Sequence, residues 1–551
     1  MGRVMLLGLV GGIGSRPWPL TAHPKVDSKK IAAIGLNKGS VNTNAFPKPL
    51  TPLGGTPLML PLFKSAVDSC GIQDVAMALM YMPEDIRAYF GPNMEGLRQG
   101  TGSSFYWEHQ HEFNLNTAGC LVKGWQEDIK GRDGHPDTFI VLSADIRAKT
   151  RMHNMLDLHK QHHALVSIGL APVPWKEIGR FGVAYRKGDS KDETGRISSY
   201  DGGKYSRIKH FQEKSPKALS NLNNGSIYII DHRLFELIED DIEIPDNRNQ
   251  LDPRLRPLSL EDQKKLNPYD LYIPDGKFDP ARGNYLNDWT NPETGKHYRL
   301  GVFSAILNQR GKLKEGEANK NFQDWGSHVF PDIVSHHPMI YESEDPGVPQ
   351  GLYGYLIGGL WADDGTRRAI YGSNLELLSG MGGFNRRHDF DWWPKPPQFN
   401  LDENNRRIWY GKNVTIEQGA KIVGPTIIGD NVTIRKGAIL VKSVIGSGWT
   451  IEGNARLVNS VLWPDRNVFG LAPIEPDLKY TLNDIQLENV IVGGGFYKEG
   501  RENVFYTDIA GTYIQEFTEA PDPYFNNVVM VPSPSHATAV IPLDQFIINS
   551  D

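Results

Sequence analysis

The first residues able to do chemistry lie in L-V-G-G-I-G-S-R-P-W-P-L-T, residues 9–21. Gly11, Gly12 and Gly14 carry no Cβ, so backbone N–H groups there can closely approach anionic oxygens such as those of phosphate. Ser15 adds a hydroxyl and Arg16 a fixed positive charge. Two familiar phosphate loops are excluded. A dinucleotide fingerprint starting at Gly12 needs glycine at position 17, which is Pro17, and a Walker loop needs Gly-Lys-Ser/Thr, which this loop lacks. Pro17 and Pro19 also prevent a long helix from starting at the glycines. Taken alone, an ordinary strand-to-loop turn accounts for the same residues. Lys48 stands between Pro47 and Pro49, which hold its backbone extended and stiff. A solvated loop lysine is the plainer alternative. Asp145 directly follows an apolar run, and ligands gather at the carboxyl ends of strands in open parallel sheets. A helix N-cap would use the same residue type.

These residues sit among alternating short strands and helical stretches. Strands are expected at 4–9, 74–81, 138–142, 165–171, 181–185 and 226–230, with helices at 61–70, 83–90 and 152–162. That alternation predicts an α/β domain with a mainly parallel sheet. From 239 to 323 seven prolines fall among charged and aromatic residues without a sustained period, which reads as a loop-rich insertion. Strand and helix patterning resumes over 329–378. A Trp/Pro-rich linker follows at 381–405. Ile416, Ile422, Ile428, Ile434 and Leu440 then stand six residues apart, and Ile445, Ile451 and Leu457 continue the step after a one-residue slip. A six-residue step suits a triangular β-solenoid at 406–465 whose aliphatic residues stack inward. An amphipathic helix is disfavoured by its 3.6-residue period. Residues 466–551 read as a β-rich extension without a functional reading. The α/β portion is thus 1–380.

Seven motifs in order carry a resemblance. G-G-x-G-[S/T]-R-x-x-P-L-T is followed by P-K-P-L-x-P-L-x-x-x-P at 47–57, and then by L-N-T-A-G at 115–119. F-I-V-L-S-A-D-I follows at 139–146, F-Q-E-K-S-P at 211–216, N-N-G-S-I-Y at 223–228 and L-W-A-D-D-G-T at 360–366. Together they resemble the sugar-1-phosphate nucleotidylyltransferases, the nucleotide-sugar pyrophosphorylases, over roughly residues 1–238 and 325–465. The resemblance implies a Rossmann-like nucleotide-diphospho-sugar transferase domain followed by a left-handed parallel β-helix. It also implies a reaction: a sugar-1-phosphate oxygen attacks the α-phosphate of a nucleoside triphosphate and pyrophosphate leaves. Such chemistry is mostly positioning and charge neutralisation.

Each role below is what the resemblance implies. Arg16 and Lys48 clamp the triphosphate, the first as a planar fork and the second as a point charge. Lys25 competes with Lys48, because residues 22–46 are an apparent insertion; the longer match after Lys48 decides for it. Gly11, Gly12, Gly14, Ser15, Thr117, Ala118 and Gly119 bind the nucleotide, although Asn116 or Thr117 could equally cap a helix. Glu213 accepts hydrogen bonds from sugar hydroxyls and Lys214 meets the sugar phosphate; a surface ion pair is the plain alternative. Asn224, with Asn223 beside it as a second candidate, binds another sugar hydroxyl. Asp145 and Asp363 are the expected magnesium ligands, since Mg²⁺ takes one or two carboxylates and fills its shell with phosphate oxygens and water. The W-x-D-x-G-T spacing selects Asp363 over Asp364. Ser15, Pro17 and Ala144 depart from the family's usual Thr, Leu and Gly, which leaves base and sugar open. GDP-mannose chemistry is slightly preferred over UDP-, dTDP- or ADP-glucose chemistry. A catalytically silent scaffold that binds nucleotide-sugar is the alternative.

Composition fits that picture. The 551 residues carry a net charge of −6, which argues against a generic nucleic-acid or anionic-membrane binder. Two cysteines build no disulfide framework, and the apolar run near the start is too short and Gly-rich to span a bilayer, so a cytoplasmic location is expected. Residues 406–465 contain no histidine, which removes the base an acyl-transferring solenoid needs. The solenoid is expected to support regulation or a homo-oligomer.

Overall fold

Strands buried on both faces read as unbroken apolar runs rather than as alternation, and the central strands do so here. β1 (Val4–Leu9), β2 (Asp74–Leu79) and β4 (Thr138–Ser143) send alternate residues into two separate cores. Leu6, Val75, Met77 and Ile140 join a core with helices α1 (Leu60–Cys70), α2 (Pro83–Phe90), α4 (Met152–Gln161) and α5 (Arg367–Ser379). Met5, Leu7, Ala76, Phe139 and Val141 join the other, with α3 (Asn116–Gly124) and Trp325, Val329 and Phe330.

This computed structural model describes residues 3–12, 16–18, 20–24, 42–97, 102–108, 116–215, 218–235, 324–330, 333–334, 351–379, 398–474, 478–482 and 485–497, and the strands at 289–290, 297–298, 505–507, 514–515, 524–526, 528–533 and 537–542. Gly14, Ser15, Lys25, most of the 239–323 insertion and linker residues 381–397 lie outside them.

The remaining strands of the main sheet are β3 (Ser104–Glu108), β6 (Val166–Pro172), β7 (Gly182–Arg186), β8 (Tyr205–Glu213), β9 (Leu222–Asp231) and β10 (Leu352–Leu356). Their order is β3-β2-β1-β4-β9-β6-β10-β8-β7. The first four are mutually parallel, as the alternation predicted, but β9 enters antiparallel between β4 and β6 and makes the whole sheet mixed. A separate two-stranded ribbon, β5 (Ile146–Ala148) with β11 (Trp361–Asp363), lies beyond the carboxyl end of β4.

The six-residue step forms a parallel β-helix of three faces. Ile416 pairs with Ile434 and Ile434 with Ile451 on one face, and Ile422 with Leu440 and Leu440 with Leu457 on the second. Ile428, Ile445 and Leu462 form the third. From Ile428 onward these residues are buried in one core, whereas Ile416 on the first coil is 46% exposed. The expected end at 465 needs correction. Leu457 pairs onward with Leu487, Ile451 with Leu482 and Leu462 with Val492, and the ladder reaches strands at 524–526 and 528–533. The stretch inserted after Leu462, which includes a 3₁₀ turn at Arg466–Phe469, breaks the step and hid this continuation. The linker's end is corrected too, since Gln398–Leu401 is a strand paired with Arg407–Tyr410 on the solenoid. The outward residues Ile427, Val444, Val461 and Ile491 join the catalytic core beside α5 and Phe46, so the solenoid is packed onto the α/β domain.

Candidate active site

The ribbon decides the geometry. β5 and β11 pair antiparallel with Ile146 opposite Asp363. Facing Cα atoms in such a pair are about 4.5–5.5 Å apart, so Asp145, one residue before Ile146, shares that end of the ribbon with Asp363. Asp145 accepts hydrogen bonds from Lys48 Nζ at 2.6 Å and from Ser143 Oγ at 2.6 Å. Asp363 accepts from Arg16 Nη1 at 3.2 Å and from Arg180 Nη2 at 3.3 Å. Burial alone would raise the Asp145 carboxyl. Lys48, by charge and hydrogen bond, outweighs it with help from Ser143 and Arg16 and holds the group down to about 2. Gly365 lets Arg16 lie close, because a Cβ there would stand 2.5 Å from Nη2 and 2.6 Å from Asp363 Oδ1.

Asp364 does a different job. Successive side chains on an extended chain leave on opposite sides, and Asp364 turns inward to Arg147 Nε at 2.5 Å. Arg147 also donates to Ser373 and Glu376 on α5, and the Ser373 hydroxyl donates to Asp364. Both side chains of this ion pair are 1% exposed. One aspartate of the pair thus faces the cations, and its neighbour ties the ribbon to α5.

A second polar group adjoins the first. Glu213 ends β8 with its carboxylate tucked against Gly182 and Gly326, where a Cβ on either would collide with Oε2. Burial pushes its carboxyl up to about 7, the nearby Asp324 charge adds to this, and Lys214 opposes it. Lys214 Nζ lies 3.8 Å from Glu213 Oε1 and points largely into solvent. Its φ of 48° is in the left-handed region, which costs an ordinary residue about 1–2 kcal/mol. Asn224 is half-buried and donates to the Tyr228 hydroxyl at 3.1 Å, while Asn223 is fully buried. The two groups are joined. Trp361 on β11 donates through Nε1 to Gly225 O at 3.0 Å, and the residue after Arg180, Phe181, accepts the Lys214 N–H at 3.0 Å.

The expected residues fare differently. Gly12 has open space where a Cβ would point, whereas a Cβ on Gly11 would stand 3.0 Å from Met80 Cβ. Lys48 is no solvated loop lysine: it begins a 3₁₀ turn and is 5% exposed. Thr117 is exposed in the first turn of α3, where its hydroxyl donates to Asp324 at 2.7 Å and accepts from Trp325 N at 3.2 Å. Ala118 and Gly119 are buried in the helix, so of these three only Thr117 offers an exposed side chain. Arg180, Ser143 and Asp324 were missed. Arg180 ends a short 3₁₀ helix (Trp175–Arg180) that carries no motif, and Asp324 follows the long insertion; Ser143, two residues before Asp145 at a strand end, was the one detectable signal.

Among the described residues no group of three or more His, Cys, Asp or Glu side chains could hold a metal. The Asp145–Asp363 pair nonetheless fits magnesium, because its hard oxygen donors leave the other coordination positions to phosphate and water. Residues 43–271 match the nucleotidyl transferase family. The chain carries a nucleotidyl transferase domain. Two of its relatives are named as glucose-1-phosphate adenylyltransferases. A glucose-1-phosphate adenylyltransferase of Bacillus thuringiensis (strain Al Hakam) is 27% identical over 438 residues, which covers 78% of this chain and 92% of the relative. One from Desulfitobacterium hafniense (strain Y51) is 22% identical over 77% of this chain and 80% of its own. A solved chain described as a candidate glucose-1-phosphate thymidylyltransferase from Bacillus anthracis aligns at a TM-score of 0.35 and 16% identity over 70% of this chain and 99% of that one; the transferase assignment does not rest on it. Among the described residues no helix is long and apolar enough to cross a membrane.

Proposed function

We propose that the transferase domain moves a nucleotidyl group from ATP to glucose-1-phosphate, giving ADP-glucose and pyrophosphate. The names of the relatives support adenosine and glucose ahead of the guanosine and mannose that the solenoid joined to the α/β domain slightly favoured. The observation that carries the reading is the ribbon end, where two carboxylates meet three cationic side chains drawn from distant parts of the sequence.

In the reaction a sugar-phosphate oxygen bonds to the α-phosphorus, and the bond from that phosphorus to the pyrophosphate oxygen breaks. Asp145 and Asp363 would hold a magnesium ion, which neutralises charge on the phosphate oxygens when bound. Lys48, Arg16 and Arg180 then turn from these carboxylates toward the triphosphate and stabilise charge gathering on the leaving group. Arg16 suits a bidentate phosphate contact, and buried Lys48 gives a fixed point charge. Lys214 reaches the sugar phosphate from the second group, and Glu213 accepts hydrogen bonds from sugar hydroxyls. Gly12 offers backbone room beside the phosphates.

The test is pyrophosphate release from a panel of nucleoside triphosphates and sugar-1-phosphates with magnesium present. ATP with glucose-1-phosphate is expected to give the highest kcat/KM. Turnover with another pair would overturn the substrate assignment, and silence with every pair would favour the scaffold.

A further inference from the structure

Residues 42–47 run without a ladder of their own into the turn that begins at Lys48, yet they are buried and held by side chains from outside the transferase domain. Asn44 is 2% exposed and fully engaged: Nδ2 donates to Pro464 O at 3.1 Å and to Gly493 O at 3.0 Å, and Oδ1 accepts from the Tyr480 hydroxyl at 2.9 Å. Asn42 Nδ2 donates to Gly493 O at 3.2 Å and to Leu20 O at 3.0 Å. Arg466 donates to Ala45 O, and its other nitrogen reaches Asp85 on α2 at 2.6 Å. The Phe46 ring stands edge-on to Trp463 and Phe469, with centroids 5.6 and 5.5 Å away. Nearly all these partners (Trp463, Pro464, Arg466, Phe469, Tyr480 and Gly493) lie in the stretch that interrupts the repeat or in the coil beside it. An irregular segment takes its course from whatever satisfies its polar groups, so these bonds set where the next residues go.

A second hold acts across the site. Tyr371 on α5, the helix that follows Asp363, donates its hydroxyl to Asn459 O at 2.8 Å and to Asn489 Oδ1 at 3.1 Å. Both asparagines are left-handed corners of the solenoid, with φ of 47° and 56°.

We propose that the solenoid is the positioning element for Lys48: the loop that breaks its repeat grips residues 42–46 through Asn44 and so fixes the lysine opposite Asp145. Asn44 and Tyr480 are positioning residues and touch no substrate. The kinetic consequence rests on the reading of Lys48 as a triphosphate ligand.

The full chain is compared with Asn44→Ala and with the milder Tyr480→Phe, which removes one hydrogen bond and leaves the ring. The first readout is the rate at which an amine-acylating reagent modifies Lys48, followed by mass spectrometry. Tyr480→Phe is expected to speed it about threefold, from one lost hydrogen bond, and Asn44→Ala about thirtyfold, from three. The second readout is kinetic. KM for the triphosphate should rise by similar factors, KM for the sugar phosphate should hold within about twofold, and neither change should add anything in a Lys48→Met background. Unchanged labelling of Lys48 in both variants overturns the proposal. So does a kcat that falls with the folded fraction while both KM values stay fixed and labelling does not change. Faster labelling with an unchanged triphosphate KM supports the positioning and instead refutes Lys48 as a phosphate ligand.

Discussion

Glu213→Gln separates the cost of a buried charge from its use. The Glu213 side chain is 11% exposed, and burial, followed by the neighbouring Asp324 charge, lifts its carboxyl from 4.5 to about 7. The folded chain therefore holds a proton that the unfolded chain releases between about pH 4.5 and 7. Glu213's contribution to stability is fully present below 4.5, declines as pH rises and is gone above about 7. The displacement corresponds to roughly 3 kcal/mol, an upper figure because Lys214 and Asp324 respond to the same proton. Glutamine keeps the shape and removes the charge. Chemical denaturation at a series of pH values should show the variant matching the parent near pH 4.5 and exceeding it by about 1–3 kcal/mol at pH 8. Under the proposed function the effect should run the other way, because ionised Glu213 would be the stronger acceptor for sugar hydroxyls. The parent's KM for sugar phosphate should fall as pH passes 7, and the variant's should be higher and lack that step. A stability difference constant across the series, or a variant less stable at pH 8, would refute the electrostatic account of this carboxylate.

Neighbouring aspartates should behave oppositely. Asp364→Asn leaves Arg147 with Glu376 as its remaining ion-pair partner and should cost about 1–3 kcal/mol in denaturant, whereas Asp363→Asn should leave the fold stable. Equal destabilisation would remove the distinction between them. Lys214→Gly relieves the φ of 48° and should raise the denaturation midpoint, by up to about 1 kcal/mol, while KM for the sugar phosphate rises at least about tenfold. A lower midpoint with an unchanged KM would make Lys214 a structural residue.

Strands covered on both faces were the most readable part of the chain, because β1, β2 and β4 appear as apolar runs bounded by turn residues. α2 was found to its exact ends, since Pro83 opens it and Gly91 closes it. Antiparallel β9 was invisible as such, since strand direction depends on connections that local composition does not encode. The solenoid's continuation was hidden because pattern reading relies on a constant step, whereas Leu457–Leu487 pairing tolerates a looped-out segment. In the site, Asp145, Asp363 and Lys48 were legible from motifs that keep their order. Arg180 and Asp324 were not, because they reach Asp363 and Thr117 through tertiary folding alone. Ala118 and Gly119 show the converse: a motif marked them, but helical packing turns them inward.

The account stands on two carboxylates sharing one end of the β5–β11 ribbon. Its most direct test is magnesium-dependent pyrophosphate release by the parent, Asp145→Asn, Asp363→Asn and the double variant, with each fold checked by circular dichroism. Both single changes should lower kcat/KM by at least about a hundredfold, and the double variant should be little worse than either, as expected for groups that act as a unit. A single variant with near-parent turnover, or losses that multiply in the double variant, would contradict a shared site.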